Sequence, residues 1–208
     1  MKKMEINEIE KMARTSMIKN IILVAAIFFG FSATLFGTWD STKNAKKKTI
    51  EAAKFEARAN ELSKINEKII ESERLLSDGI ELASRGRLTD AITSYNKAIE
   101  LNPQSANAYQ FLGYALLRRS QIKPKFYPND LKDSISALEK AIQIDPTHVW
   151  AHYNMALAYW EAGKKDMAID MVRRVLEIGP SFKDVLANDV QFKHFWKSSE
   201  FRKLLQIP

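Results

Sequence analysis

Cysteine is absent from this sequence of 208 residues, and glycine and proline are scarce, at seven and six residues. Without thiols the chain has no disulfide bonds, zinc–thiolate sites or cysteine nucleophiles. The scarcity of glycine and proline suits a mostly helical protein, because both residues weaken helix interiors. A glycine-rich phosphate loop and a serine in a nucleophile-elbow context are also missing. We therefore expect an all-α protein that is not an enzyme and binds no cofactor.

Positive charge is unevenly distributed along the chain. The formal net charge is +7, and residues 1–48 hold nine Lys and Arg against four Asp and Glu. A nucleic-acid-binding domain carries its basic excess on the folded part. Here the excess flanks an apolar run, which indicates a membrane surface instead. Nucleic acid is therefore not an expected partner.

The apolar run, residues 20–39, contains no charged side chain. A helix of this length rises roughly 30 Å, the thickness of the hydrocarbon core of a bilayer. Trp39 suits the membrane interface, and Lys19 and Lys43 can reach the headgroups at either end. The run predicts a transmembrane helix after a short tail of residues 1–19. A cleaved signal peptide is the alternative, although the leader would be long and the run lacks an Ala-x-Ala site.

The charges that flank this helix do not by themselves decide its orientation. Five Lys and Arg lie within residues 2–20, and six lie within residues 40–58, so the positive-inside rule is nearly tied. A folded carboxy-terminal domain can translocate whatever its charge, whereas a short basic tail tends to stay inside. We expect the amino terminus in the cytoplasm and the larger part of the chain on the extracytoplasmic, periplasmic side, with the cytoplasmic side as the alternative.

A four-residue pattern recurs between residues 91 and 180. Its three copies share their internal spacing and end in proline: Ala91, Tyr95, Ala98 and Pro103; Ser134, Leu138, Ala141 and Pro146; and Ala168, Val172, Val175 and Pro180. The last two prolines are 34 residues apart, and the first two are 43 residues apart. Small residues at helical spacing let two helices approach closely, and larger ones fill the space between neighbouring pairs. The pattern predicts a stack of helix pairs.

This period resembles that of the tetratricopeptide repeat (TPR), a helix pair of about 34 residues. The first helices carry matching residues in three copies: Leu75, Gly79 and Leu82; Tyr109, Leu112, Gly113 and Leu116; and His152, Met155, Ala156 and Tyr159. The resemblance implies a solenoid of three repeats within residues 72–180, at about 72–105, 106–148 and 149–182. Residues 181–208 would form capping helices, with restarts at Asn188 and Ser198. Ser134 and Val175 depart from the family's small-residue pattern.

A basic juxtamembrane segment and a helical stalk make up residues 40–71. Phe55, Leu62, Ile69 and Leu76 recur every seven residues, with Ile65 near the intermediate seam. This spacing is typical of a short coiled coil, which would join two chains as a homodimer. The alternative is a stalk that packs the same stripe against the first repeat. In either case helical rise gives a spacer of roughly 35 Å.

The second repeat is longer than the others because extra residues separate its two helices, within residues 121–130. Two prolines and the aromatic residues Phe126 and Tyr127 lie in this lengthened turn. Such a turn is either a contact loop for a partner or a neutral insertion.

In the family, the outward positions of each first helix line a groove that binds a partner. Carried over one residue at a time, these positions are Leu76, Ile80, Asn107, Gln110, Tyr114, Leu117, Trp150, Tyr153, Leu157 and Trp160. Most are apolar or aromatic, and the resemblance implies that Tyr114, Trp150, Tyr153 and Trp160 anchor an apolar helix or an extended peptide of a partner protein. The alternative is that the stalk or the carboxy-terminal segment covers part of this surface.

Family members that clamp a carboxyl-terminal peptide use Lys, Arg and Asn at several groove positions. Leu76, Ile80, Phe111 and Trp150 stand in those places here, and only Asn154 is polar. The resemblance therefore does not favour a carboxylate clamp.

His148 and His152 share a helix face with Asp145 nearby, a spacing that could hold a metal ion. His152 falls where the family places a packing residue, and His148 falls in the first turn of its helix. We therefore predict no metal site.

Together these features predict a membrane-anchored TPR scaffold that recruits or assembles protein partners at a membrane. The alternative is a permanent accessory subunit of a membrane complex, packed through its transmembrane helix. That helix offers small residues for packing: Gly30, Ser32, Ala33, Thr34 and Gly37.

Overall fold

The computed structural model describes residues 39–206, which form eight α-helices and two short 3₁₀ helices, with no strand in that range. The α-helices are α1 (Trp39–Ser84), α2 (Leu88–Leu101), α3 (Ala106–Ile122), α4 (Asp130–Ile144), α5 (Val149–Glu161), α6 (Lys165–Ile178), α7 (Phe182–Asn188) and α8 (Ser199–Leu205). The 3₁₀ helices, Val190–Phe192 and Phe195–Lys197, lie between α7 and α8. The predicted all-α class is confirmed.

The predicted tail, residues 1–19, lies outside the described residues. Of the predicted transmembrane segment, residues 20–39, only Trp39 is among them. Between Trp39 and Gln206, no helix is both long and apolar enough to cross a bilayer. The chain divides into two compact units, whose boundary in the sequence lies between Glu67 and Lys68.

In the first unit, the described part belongs to helix α1. Between Lys46 and Glu67, every residue is exposed except Ala59 and Ser63, which are half-buried. The heptad side chains Phe55, Leu62 and Ile65 stay 54%, 55% and 45% exposed. The predicted stripe therefore keeps about half of its apolar surface in water.

The second unit is built from helix pairs, α1 with α2, α3 with α4, and α5 with α6. Glycine allows the first two pairs to approach closely. A Cβ atom at Gly79 would lie 2.4 Å from the ring of Tyr95, and one at Gly113 would lie 2.6 Å from Leu138. These contacts join the small and large residues of the repeat pattern, so the close helix approach predicted from the sequence is confirmed.

Two buried serines add polar links between paired helices. The Ser72 hydroxyl donates to the carbonyl of Ala98 at 2.8 Å, and the Ser134 hydroxyl donates to the carbonyl of Gly113 at 2.6 Å. Ser134 is one of the two residues that depart from the small-residue pattern. Its hydroxyl is satisfied inside the pair, which removes the desolvation cost of a buried polar group.

Glycine and proline mark the ends of the helices. Gly86 and Gly163 have φ values of 77° and 74°, the left-handed region that side chains disfavour, and they turn the chain after α1 and α5. Pro103, Pro146 and Pro180 each follow the last residue of α2, α4 or α6 by two positions. Proline cannot continue a helix, so each repeat ends where its proline predicts.

The carboxy-terminal segment packs on the third helix pair. Its buried side chains, Leu186, Phe192, Phe195, Phe201 and Leu205, belong to the same core cluster as residues of α5 and α6. Ser198 caps α8 by accepting from the Phe201 amide at 3.3 Å, at the restart predicted from the sequence. The other restart lies one residue later than predicted, because Asp189 accepts from the Gln191 amide at 2.8 Å.

Candidate functional site

A pocket of about 310 Å³, here called the α3–α5 pocket, opens between the first helices of the second and third repeats. Eight residues line it: Gln110, Phe111 and Tyr114 from α3; Trp150, Tyr153 and Asn154 from α5; and Asp189 and Gln191 from the carboxy-terminal segment. Three parts of the second unit therefore converge on one cavity.

Helices α3 and α5 are held together near their amino-terminal ends by His148. Its Nδ1 accepts from the Ala151 amide at 3.3 Å and so caps α5. A ring nitrogen that accepts leaves the other to carry the proton, so Nε2 donates to Oδ1 of Asn107, 2.9 Å away on α3. This link ties the first turn of α3 to the residue that caps α5, at the same end of both pocket walls.

Trp150 stands at the pocket with its ring fixed from two sides. Its centroid lies 5.2 Å from the Tyr153 ring and 4.9 Å from the Phe182 ring, both in edge-to-face geometry. Even so, 46% of its surface is exposed. An aromatic side chain that is both rigid and exposed can bind a partner with little loss of side-chain entropy.

Tyr153 connects α5 to the carboxy-terminal segment. Its hydroxyl donates to Oδ2 of Asp189, and its ring lies 4.9 Å from that of Phe192. Burial, followed by the Asp189 carboxylate, raises the pKa of Tyr153, so the phenol stays neutral and remains a donor. Asp189 accepts at both oxygens, since its Oδ1 binds the Gln191 amide.

Two of the three amide side chains that line the pocket, those of Gln110 and Asn154, belong to residues with little exposed surface, yet their amide atoms still reach solvent. Gln110 and Asn154 are only 6% and 3% exposed. Within residues 39–206, neither side chain forms a hydrogen bond. Each amide offers a donor and an acceptor, and a buried amide is stabilised when both are used. The amide N–H and C=O groups of these two side chains can therefore bind a ligand in the pocket.

Four of the ten groove residues predicted from the sequence line the pocket, namely Gln110, Tyr114, Trp150 and Tyr153. Asn107 lies beside it and binds His148. Ile80, on α1, is 40% exposed and does not line the pocket.

The other four predicted groove residues do not line the pocket. Leu117 and Leu157 are buried in the larger core cluster, and Leu76 is buried in the smaller one. Trp160 stacks on Phe195, with ring centroids 3.9 Å apart. The carboxy-terminal segment covers Trp160 through Phe195, whereas Leu76 is buried in a cluster with residues of α2 and α3. The covering of part of the groove by this segment was the stated alternative.

Sequence reasoning missed Asp189 and Gln191 as site residues, because the segment that carries them was expected only to cap the last repeat. The one signal in the sequence was the predicted helix restart near Asn188, because a break between two helices can turn the chain back toward α5. Phe111 and Asn154 were noted only as departures from a carboxylate clamp, and both line the pocket.

The histidine pair uses its ring nitrogens for structure. His152 Nε2 donates to the carbonyl of Pro146 at 2.9 Å, and its Nδ1 is buried without a partner. Burial lowers the pKa of His152, so the ring is neutral near pH 7. In the described part of the chain, no three His, Cys, Asp or Glu side chains are grouped closely enough to hold a metal ion.

A second, larger groove of about 790 Å³ lies among α2, α3 and α4. Its apolar lining includes Ile92, Leu112 and Leu116, and its polar lining includes Arg119 and Asp130. The lengthened turn ends beside it. Phe126 in that turn is 79% exposed, whereas Tyr127 packs under the Arg119 guanidinium, which is 4.0 Å from the ring centroid.

Comparison with known proteins agrees with this geometry. A family model described as TPR repeat matches residues 79–119 and 126–163, and one described as tetratricopeptide repeat matches residues 151–182. Tetratricopeptide repeat protein 33 of Xenopus laevis is 27% identical over 128 residues, which cover 62% of this chain and 46% of that protein. The chain therefore spans about half the length of this curated relative.

Three solved structures share the fold. The Arabidopsis OM64 TPR domain has a TM-score of 0.51 at 20% identity, covering 66% of this chain and 96% of its own. The first TPR of Spaghetti (RPAP3), bound to the HSP90 peptide SRMEEVD, has a TM-score of 0.51 at 19% identity, covering 66% and 93%. MamA has a TM-score of 0.50 at 23% identity, covering 83% and 91%. The chain therefore carries tetratricopeptide repeats within residues 79–182, as its period predicted.

Proposed function

We propose that this protein is a scaffold that holds a partner protein in the α3–α5 pocket. The observation that carries the proposal is Trp150, whose ring is fixed by Tyr153 and Phe182 while 46% of its surface stays exposed. Rigid aromatic side chains beside a pocket are the usual centres of binding energy in protein interfaces. Tyr114 extends the same apolar wall from α3.

The fold supports this role. Tetratricopeptide repeats bind peptides or partner proteins, and the structure of the first TPR of Spaghetti (RPAP3) contains an HSP90 peptide. The lining of the α3–α5 pocket combines aromatic rings, amides and one carboxylate, a set suited to recognition. That carboxylate, Asp189, already accepts from Tyr153 and Gln191. We therefore propose binding rather than catalysis as the activity.

Photocrosslinking from the pocket tests the proposal. A photoreactive phenylalanine in place of Tyr114, in the full chain expressed in its own cells, should crosslink to a partner that mass spectrometry identifies. Trp150→Ala should then weaken the purified partner's binding by about 2 kcal/mol, or roughly 30-fold. Trp196→Ala is the matched control, because Trp196 is 37% exposed and does not line the pocket.

Circular dichroism of both tryptophan variants separates binding from folding. The proposal requires that Trp150→Ala keep its helix content and lose affinity. Unchanged affinity with intact helices would refute it. If Trp150→Ala unfolds, Trp150→Phe should still weaken binding, since phenylalanine keeps the packing and removes part of the exposed ring.

We also propose that residues 20–39 anchor the protein in a membrane. The support is the uncharged apolar run with Lys19 and Lys43 at its flanks. Arginines at Ile27 and Phe28 should prevent stable membrane insertion, because each costs roughly 3 kcal/mol at mid-bilayer on insertion scales. Sequencing of the mature amino terminus checks the competing signal-peptide interpretation, which requires that the chain begin after this run.

For the topology, we propose that the repeats lie on the extracytoplasmic side. The support is that the flanking charges are nearly balanced and that a folded carboxy-terminal domain can translocate whatever its charge, whereas a short basic tail tends to stay inside. Protease added to intact spheroplasts should degrade the repeats and spare the amino-terminal tail. Protection of the repeats would place them in the cytoplasm.

The second candidate function is a permanent accessory subunit of a membrane complex. Small residues in the apolar run, such as Gly30, Ala33 and Gly37, favour close packing against neighbouring helices. Size exclusion after mild detergent extraction distinguishes the two. A stoichiometric complex that persists in Trp150→Ala favours the subunit, and a partner lost from that variant favours the scaffold.

A further inference from the structure

We infer that the α3–α5 pocket selects a basic side chain, lysine or arginine, from an internal segment of the partner. The inference rests on the proposed function, because it names the partner chemistry of the same pocket. Three independent features of the lining carry it: its charge, its aromatic rings and its amides.

The charge of the pocket comes from one residue. Asp189 is the only charged side chain among the eight that line it. Its two oxygens accept from the Tyr153 hydroxyl and from the backbone N–H of Gln191, and both of these donors are neutral. Each carboxylate oxygen can accept more than one hydrogen bond. In the described part of the chain, no lysine or arginine forms an ion pair with Asp189, so its negative charge is available to a ligand.

The aromatic rings favour the same ligand. Phe111, Tyr114, Trp150 and Tyr153 make up half of the lining. An ammonium or guanidinium group is attracted to the faces of such rings, and most strongly to tryptophan. Aromatic walls around a single carboxylate thus match the long alkyl stem and the charged head of lysine or arginine.

The amides indicate that the cation belongs to a polypeptide. Gln110 and Asn154 have little exposed surface as residues, but their amide atoms reach solvent and have no partner of their own among the described residues. Each can pair with one N–H and one C=O group, which is what the main chain beside an inserted side chain presents. A free cation would leave these groups unused, whereas a peptide segment satisfies them.

The same lining opposes an acidic carboxyl terminus. No lysine or arginine lines the pocket, so a terminal carboxylate would meet Asp189 without a compensating charge. The HSP90 peptide SRMEEVD, seen with the first TPR of Spaghetti (RPAP3), is acidic near its end. The two proteins share a fold and, on this inference, differ in the charge of the peptide they take.

The experiment selects short random peptides, displayed internally without free ends, for binding to the full chain. Peptides whose binding falls in Trp150→Ala are taken as pocket peptides. We expect lysine or arginine to be enriched at one position of these peptides. Replacing that lysine by norleucine, or that arginine by citrulline, should weaken calorimetric affinity about tenfold or more, since hydrogen bonds between charged groups are the strong ones.

Asp189→Asn should weaken the binding of the same peptides to a similar degree. The norleucine or citrulline peptide should lose little further affinity in that variant. This coupling distinguishes a direct contact from a general loss of structure. Asp184→Asn is the control, because it removes an exposed carboxylate of α7 outside the pocket. Asparagine can still accept from the Gln191 amide, so the local turn is preserved.

Each result is decisive. Pocket peptides that tolerate the neutral substitution, or that require a free carboxyl terminus, would overturn the inference and leave the proposed function standing. If no peptide depends on Trp150, both the proposed function and the inference fail. If only Asp189→Asn unfolds, the neutral peptide comparison still decides, since it uses the unaltered protein.

Discussion

Arg119 and Asp130 form a two-point ion pair across the lengthened turn of the second repeat. Arg119 Nε lies 2.6 Å from Asp130 Oδ2, and Nη2 lies 2.9 Å from Oδ1. The two side chains are only 14% and 7% exposed. The guanidinium also lies over the ring of Tyr127. The pair therefore fixes the start of α4 against the end of α3, although the repeat is nine residues longer than its period.

Removing one partner of this pair should destabilise the protein. Asp130→Asn leaves the Arg119 charge largely buried without compensation, and we expect the free energy of unfolding to fall by about 2 kcal/mol. Asp133→Asn removes an exposed carboxylate from the same first turn and should change it by less than about 0.5 kcal/mol. Urea unfolding followed by circular dichroism measures both, and equal midpoints would show that the pair does not stabilise the fold.

Gly113→Ala should destabilise the protein, although replacing glycine by alanine usually stabilises a helix. Alanine is favoured over glycine in a helix by about 1 kcal/mol. Here the added methyl would lie 2.6 Å from Leu138 Cγ and 3.2 Å from the Ser134 carbonyl oxygen. We expect Gly113→Ala to lower stability by roughly 1–3 kcal/mol through overpacking.

Leu138→Ala supplies the internal check on this expectation. It is destabilising alone, because Leu138 is fully buried. It also makes room for the new methyl, so the double variant should be more stable than the two single effects predict. Simple additivity in thermal or urea unfolding would mean that the two side chains do not compete for space.

His152 should make stability dependent on pH below neutrality. Burial lowers the pKa of His152; Arg174 and His148 act in the same direction, and the Pro146 hydrogen bond and Asp145 oppose it. In the unfolded chain the group titrates near its ordinary pKa of about 6.5. Below that pH the unfolded state binds a proton that the folded state does not, so stability is present above about pH 6.5 and falls as the pH drops toward the lowered folded pKa.

The measurement compares urea midpoints from pH 7.5 to 5.5, above the range in which carboxylates titrate. Unaltered protein should lose stability as the pH falls, with a slope of at most ~1.4 kcal/mol per pH unit for this one proton. In His152→Gln, whose amide can still donate to Pro146, the slope should be smaller, whereas His194→Gln changes an exposed ring and should leave it intact. The same slope in all three proteins would remove His152 as its source.

The sequence predicted the repeat fold because its decisive contacts are periodic. Gly79 with Tyr95 and Gly113 with Leu138 recur at fixed spacing, and each closing proline follows a helix by two residues. The candidate site was less predictable. Four of its eight lining residues follow from the repeat register, but Asp189 and Gln191 lie in a segment without a period. Only the packing of that segment on α5 shows that they reach the pocket and that Trp160 is covered.

The apolar stripe of α1 yields the last prediction, which concerns the homodimer that we propose for this chain. Phe55, Leu62 and Ile69 recur every seven residues, with Ile65 on the intermediate seam, and each is at least 39% exposed. A seam repeating every 3.5 residues fits another helix of the same kind, which would cover these side chains. The chain has no cysteine, so one introduced thiol reports on a second copy without interference.

Leu62→Cys should form a disulfide-linked dimer when the full chain is oxidised in membranes or mild detergent, because equivalent seam positions of a parallel pair face each other. Asn60→Cys is the matched control, since this exposed residue lies two positions away and points to the other side of the helix. Replacing Ile65 and Ile69 by lysine in the Leu62→Cys chain should abolish the crosslink. Ile70→Lys introduces the same side chain at a residue that is 62% exposed and lies off the seam, and it should leave the crosslink in place. Crosslinking of both cysteine variants alike would indicate random collision, and a crosslink that survives the seam lysines would show that some other contact brings the chains together.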